Sequence, residues 1–447
     1  MVKKFFIVTL IILFAAALIF GAAGCSKKAD EAETESVGVP SYESAGEGET
    51  ESGTDTADVS VAEEAEDGYE PAPVLEETEA SEAMAEADTY AEEGSSFGDE
   101  VMSSQQQAGQ LTAGEWNDNE NFDYFMELLN DNEWYSMLET WGYEDFTRVG
   151  VHVISPDYMP VQNAVVKIIN EQENVIYTAK TDNKGIAYVF PYLFDKDTEQ
   201  QFAILVEYNG ETAMHQLDDT DKDQMIDITL QAKAQRSSEV DIMFMIDTTG
   251  SMSDELSYIQ AELTYIIEEV QKANENSLDI RISTNFYRDT EDDYICRTFE
   301  FTDDIAQAIT QINAQYANGG GDYPEAVERA LFEGISNHNW NQNARARIMF
   351  LILDAPPHLN SEVLEVIKEQ TIAAAQQGIK IIPVASSGVD KNTEFLLRFL
   401  ETATNGTYVF LTNDSGIGNE HIEPTIGAYD VEYLNDLLVR LINEEIE

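Results

Sequence analysis

From Ser238 to Glu447, short continuous apolar runs alternate with amphipathic stretches. EVDIMFMID and ARIMFLILD are unbroken apolar runs that end in aspartate, IKIIPVAS is a third such run, and YVFL is a short fourth. DIRISTNFY and DYICRTFEF also read as strands. Between them, SDELSYIQAELTYIIEEVQKA, DDIAQAITQINAQY, PEAVERALFEGI and DVEYLNDLLVRLI carry apolar residues at helical spacing. Buried strands alternating with helices predict a doubly wound, Rossmann-like α/β domain over 238–447, with a mostly parallel sheet covered on both faces. In such sheets, sites form at the carboxyl ends of the strands.

Upstream the pattern changes. Between Val149 and Ala232 the runs VGVHVIS, NAVVKIIN, NVIYTAKT, GIAYVFP, FAILVEYN, ETAMHQL and MIDITLQ are short and separated by turn residues. Seven strands of this kind predict an antiparallel β-sandwich over 149–232. Its V-x-V-x-x-P-D-x-x-P-V-x-N-A-x-V run and T-D-x-x-G-x-A turn resemble the carboxypeptidase regulatory-like (transthyretin-like) domain. That resemblance implies a structural or adhesive role. Asp219, Asp221 and Asp223 invite comparison with a calcium loop, but Gln224 and Leu230 stand where an EF-hand needs Gly and Glu, so an exposed turn is expected. The segment 115–148 is dense in aromatics. Phe122, Phe125, Leu128 and Leu129 recur at helical spacing, as do Trp134, Met137, Leu138 and Trp141, which predicts two short helices packed on the next domain.

Charge separates the first quarter of the chain from the rest. Lys and Arg number 24 against 86 Asp and Glu, a net of −62, which excludes nucleic acid as a partner. Between Ser26 and Gly114 the letters are acidic or small, with few apolar residues, so 25–114 reads as a disordered acidic tether. Before it, two lysines precede the uncharged stretch Phe5–Gly24, and Ala22-Ala23-Gly24 lead into Cys25. This order resembles a bacterial lipobox, although Ala22 stands where a Leu is usual. The resemblance implies a signal peptide over 1–24, a lipidated Cys25 and an extracytoplasmic protein held to the cell membrane by its lipid. A plain transmembrane anchor is the other reading, and it also places the rest of the chain outside the cytoplasm. Cys296, the second cysteine, sits mid-strand and reads as a buried inert thiol.

Three acidic clusters fall at strand ends: Asp247-Thr248-Thr249-Gly250-Ser251, then Gly319-Gly320-Gly321-Asp322-Tyr323-Pro324-Glu325, then Asp354-Ala355-Pro356-Pro357-His358. Asp247 and Asp354 end strands that this fold sets side by side, and neighbouring carboxylates repel unless a cation lies between them. An all-oxygen donor set with hydroxyls at Thr249 and Ser251 suits Mg²⁺, with Mn²⁺ or Ca²⁺ as alternatives. Asp, Ser and Thr at such places also serve as helix caps without any metal. The five histidines are scattered and show no H-E-x-x-H pair, and His358 reads as a surface residue. No G-x-S-x-G elbow stands between a strand and a helix, the letters Gly94–Gly98 falling inside the acidic stretch, and no phosphate loop ending in GK[ST] is present.

D-x-T-x-S, then G-G-x-D, then a strand-ending Asp resemble the von Willebrand factor type A domain and its metal-ion-dependent adhesion site. The resemblance implies metal ligands at Asp247, Thr249, Ser251 and Asp354, with Asp322 in the position that integrin-type members fill with Thr. It implies a binding protein rather than an enzyme, whose metal takes a carboxylate from a protein partner. The alternatives are a metal-assisted hydrolase, or an envelope scaffold or sensor that uses the metal structurally.

Overall fold

The computed structural model describes residues 106–195, 201–218, 220–274 and 277–447. The signal stretch, Cys25 and most of the acidic tether lie outside the described residues. The described chain opens with β1 (Thr112–Trp116), α1 (Phe122–Leu128) and α2 (Asn132–Trp141). Seven strands follow: β2 (Val149–Ile154), β3 (Val165–Asn170), β4 (Val175–Lys180), β5 (Ile186–Val189), β6 (Phe202–Tyr208), β7 (Glu211–Gln216) and β8 (Met225–Thr229). The α/β part comprises β9 (Glu239–Asp247), α3 (Leu256–Asn274), β10 (Asp279–Tyr287), β11 (Cys296–Arg297), α4 (Ile305–Asn313), α5 (Val327–Ser336) and β12 (Ala346–Leu353). It continues with α6 (Ser361–Gln377), β13 (Lys380–Ala385), α7 (Lys391–Thr404), β14 (Tyr408–Leu411), β15 (Glu432–Tyr433) and α8 (Leu434–Ile446).

One sheet of eight strands runs β11-β10-β9-β12-β13-β14-β1-β15. Its central strands β10, β9, β12, β13 and β14 are parallel, while β11, β1 and β15 add antiparallel edges. Side chains alternate across a strand. Ile242, Phe244 and Ile246 of β9 therefore pack with α3, α4 and α8, while Met243 and Met245 join the core that includes α5, α6 and α7. Both faces are covered, so the strands are apolar throughout. Helix ends follow local chemistry. Asn360 caps α6 through the amides of Glu362 and Val363, Asp390 caps α7, and left-handed Gly378 (φ 70°) ends α6.

The smaller part holds a three-stranded sheet, β5-β2-β8, and a four-stranded sheet, β4-β3-β6-β7, whose buried valines and isoleucines share one core. All pairings in the four-stranded sheet are antiparallel, but β2 pairs with β8 in parallel, which departs from the all-antiparallel expectation. The final strand returns alongside the first in the same direction.

Three further expectations change. The run DYICRTFEF yields only the two-residue β11, and Cys296 is half-buried rather than fully enclosed. Helix α5 begins at Val327, not at Pro324, because Glu325 is held by a hydrogen bond from its backbone N–H to the Pro356 carbonyl (2.8 Å). The largest change is at the start of the α/β domain. Composition ends the tether at Gly114 and begins the α/β domain at 238, yet Thr112–Trp116 is a strand of the large sheet, paired with both β14 and β15. The carboxylate of Glu262, on α3, accepts from the backbone N–H groups of Gly109 (2.7 Å), Gln110 (2.9 Å) and Leu111 (3.1 Å). The aromatic segment packs on α7, with Trp134 against Phe395 and both Tyr143 and Phe146 against Phe399. Arg398, fully buried, donates to both carboxylate oxygens of Asp118 (2.7 and 2.5 Å).

Candidate metal centre

Strands β9 and β12 are parallel neighbours, with Ile246 opposite Ile352, so Asp247 and Asp354 emerge together at the carboxyl edge. The chain leaves β9 toward β10 on one side and later places β12 on the other. The order reverses there, which is where open α/β sheets form their crevice. Asp247 is fully buried, and its Oδ1 accepts from the backbone N–H (2.8 Å) and hydroxyl (2.7 Å) of Thr249. The Thr249 and Ser251 hydroxyls lie 3.1 Å apart, so the two do face one point. Asp354 is 3% exposed and is steadied by the Ser251 hydroxyl.

The glycine-rich loop meets this edge from the other side. Gly250 N–H donates to the Gly319 carbonyl (3.1 Å), and Gly320 N–H donates to Asp292 (2.9 Å). Gly319 (φ 83°) has no room for a side chain, since a Cβ there would stand 2.1 Å from Asp292 Oδ1. This turn brings Glu325, not Asp322, against the Asp247–Asp354 pair. Asp322 is exposed and groups instead with Asp289 and His358. Glu325 is 2% exposed, and a Cβ on Gly320 would touch its Oε1 at 2.9 Å and Thr249 Cβ at 3.5 Å.

Electrostatics follow from the crowding. Burial pushes Asp247 up to about 6, against the pull of the Thr249 hydrogen bonds. Burial and then the Asp247 charge push Asp354 up to about 7. Burial, then Asp247, Asp289 and Asp354, push Glu325 up to about 9. Asp247 Oδ2, Asp354 Oδ1 and Glu325 Oε2 are each buried without a hydrogen-bond partner. Buried carboxylate oxygens without partners are costly. Hard oxygen donors with two hydroxyls beside them fit a divalent cation, so the residues present suit the metal that this type of domain commonly binds.

Sequence reasoning passed over Asp289 and did not separate Glu325 from Asp322. Asp289 lies two residues beyond the end of β10, a neighbour of β9, and that strand-end position was the available signal. Glu325 was visible in the glycine-rich motif, but its spacing alone does not tell it from Asp322. His358 is half-buried on Asp289 (2.9 Å) rather than free on the surface. Of the acidic turn, Asp219 lies outside the described residues, Asp221 pairs with His215 (3.1 Å), and Asp223 (φ 57°) is exposed and accepts from the Arg148 N–H.

A match to a known family agrees with the architecture of the α/β part. Residues 241–416 match the family described as von Willebrand factor A domain, and this part of the chain carries such a domain. A 136-residue stretch is 33% identical to "Alpha-protein kinase vwkA" of Dictyostelium discoideum, covering 30% of this chain and 21% of that protein. A 125-residue stretch is 31% identical to "Putative ariadne-like RING finger protein R811" of Acanthamoeba polyphaga mimivirus, covering 27% of this chain and 12% of that protein. The chain thus spans about a fifth or less of these relatives. Among solved structures, conserved hypothetical protein BatB from Bacteroides thetaiotaomicron is similar at 13% identity and a TM-score of 0.32, over 46% of this chain and 98% of that one. Among the described residues no helix is long and apolar enough to cross a membrane.

Proposed function

We propose that the chain is an extracytoplasmic lipoprotein, anchored through Cys25, whose von Willebrand factor A domain binds a divalent cation and uses it to hold a protein partner. A von Willebrand factor A domain implies protein–protein interaction or adhesion. The observation that carries the metal reading is the set of buried, partnerless oxygens on Asp247, Asp354 and Glu325. Asp247, Thr249, Ser251 and Asp354 would hold the ion, with Glu325 as the third carboxylate beside them. Mg²⁺ fits this all-oxygen set, and Mn²⁺ or Ca²⁺ would be accepted. The bound ion would offer a partner's carboxylate a positive charge that the acidic chain otherwise lacks. A binding role is favoured over hydrolysis because the Thr249 hydroxyl bonds to Asp247 and pairs with the Ser251 hydroxyl, and among the described residues no histidine is hydrogen-bonded to either. The small residues before Cys25, after an uncharged apolar stretch, support the lipid anchor.

Thermal melting of the purified chain in Mg²⁺ and in EDTA tests the site. A ligand that binds only the native state adds about 2.7 kcal/mol at one hundred times its Kd. Mg²⁺ should raise the melting temperature of the wild type and leave Asp354→Asn unmoved. A wild-type curve indifferent to Mg²⁺, Mn²⁺ and Ca²⁺ would remove the metal reading. A partner captured in Mg²⁺, released by EDTA and not retained by Asp354→Asn would support the interaction reading.

A further inference from the structure

At the opposite edge of the large sheet, beside the first residues of β12 and β13, a cavity of about 30 Å³ lies between the sandwich and the α/β domain. Four cations line it, Lys180 at the end of β4, Arg345 and Arg347 at the start of β12, and Lys380 at the start of β13. Only two carboxylates line it, Asp182 and Glu445, so four less two leaves a local net of +2 in a chain of net −62. Lys380 takes both carboxylates (3.2 and 2.7 Å). Among the described residues the other three cations pair with none. Lys180 Nζ donates to Gln342 Oε1 (2.8 Å), and Arg345 donates to the carbonyls of Ser237 (2.7 Å) and Ile446 (2.8 Å). Arg347 donates to the carbonyls of Asn341 and Ala344 (3.0 Å each) and to the Asn163 side chain. Asp241, whose charge reaches Arg347, is held through both its oxygens by Arg281 (2.8 Å each).

Arg347 is 3% exposed, and its Nε is buried with no hydrogen-bond partner. Its Nη2 and the Lys180 Cβ each stand 3.0 Å from where a Cβ on Gly378 would be, and Gly378 lines the same cavity, so the two side chains converge there. The carboxyl end of α6, which Gly378 closes, offers only about half a negative charge. Burial pushes Arg347 down to about 10, and burial and then the Arg347 charge push Lys180 down to about 8. Buried charges are costly unless they are paired. What this wall lacks is a negative charge. A water needs about 10–15 Å³ of such space, so the cavity admits one or two water-sized species and no organic ligand.

We infer that the cavity is a site for one small inorganic anion of the chloride class, held between Lys180 of the sandwich and Arg345 and Arg347 of the α/β domain. Its donors come from both domains, so the bound ion ties one to the other. It stands at the other end of the strands from the Asp247–Asp354 pair, and its occupancy does not depend on a metal there.

The test uses the full chain in constant Mg²⁺, with sodium chloride exchanged for sodium gluconate at constant ionic strength. Gluconate is too large for the cavity, and constant ionic strength keeps the screening of the acidic chain unchanged. Chloride should raise the melting temperature along a saturating curve, because it binds the native state alone. The chloride NMR line should broaden on the same curve. Lys180 is partly exposed, so Lys180→Gln keeps most of the stem and should weaken chloride binding about 10-fold, the usual worth of a hydrogen bond from a charged group. Lys272→Gln, exposed on α3 and away from the cavity, should keep the wild-type response. Asp354→Asn should keep it too while losing the Mg²⁺ melting response, so failure of one site is told apart from failure of the other. Melting that is the same in chloride and gluconate, or chloride binding that Lys180→Gln leaves unchanged, would overturn the inference and leave the cavity to water.

Discussion

Removing the Asp118 carboxylate tests whether the segment before the sandwich belongs to the α/β domain. Asp118, Arg398 and Glu401 are all fully buried. Arg398 is doubly bonded to Asp118, which sits 280 residues away, and the Trp116 indole N–H also donates to Asp118 (3.0 Å). Leaving one charge of a buried pair unmatched costs about 3–5 kcal/mol. Glu401 modifies that figure. Burial, then the Asp118 charge, raises its pKa well above the usual carboxylate range, which favours its neutral form. Without Asp118, buried Glu394 still faces the Arg398 guanidinium at 3.7 Å, and Glu401 can ionise beside it, so the two offset part of the loss. Asp118→Ala should therefore fall near the lower end, at about 3 kcal/mol. Glu401→Gln alone should cost under about 1 kcal/mol, because an amide copies a neutral carboxyl. The double variant should lose more than the sum of the two, since the replacement charge is gone. Urea unfolding followed by tryptophan fluorescence measures all three. An Asp118→Ala cost under about 1 kcal/mol, or a double variant that is simply additive, would refute the reasoning.

Other outcomes follow from the same geometry. In EDTA, Asp247, Asp354 and Glu325 have native pKa values raised above their unfolded ones, so their contribution to stability is greatest in acid and is lost as pH rises through about 6, 7 and 9. Asp354→Asn should thus gain on the wild type in EDTA between pH 5 and pH 8, and a constant gap in urea midpoints would contradict the shift. Gly319→Ala forces a side chain onto Asp292 in a left-handed turn, and should cost about 1–3 kcal/mol and weaken the Mg²⁺ melting response. Cys25→Ser should block fatty-acid labelling and leave the signal attached, and normal labelling would end the lipoprotein reading.

The alternation of buried runs and amphipathic stretches was enough to predict the parallel sheet, because a strand covered on both faces must be apolar at every position. It also placed Asp247, Thr249, Ser251 and Asp354 at one edge, since adjacent parallel strands end on the same side. Three features needed the folded chain. Strand β1 is short and follows a low-complexity acidic stretch, and its partners lie 300 residues away, so no local period marks it as part of the sheet. The exchange of Asp322 for Glu325 depends on two left-handed glycines and one hydrogen bond to Pro356, which turn the loop without changing its letters. The grouping of Asp289, Asp322 and His358 joins loops from opposite sides of the strand-order reversal. Sequence spacing reports neighbours along an element, whereas donors that converge from separate loops are brought together only by the crossing of the chain.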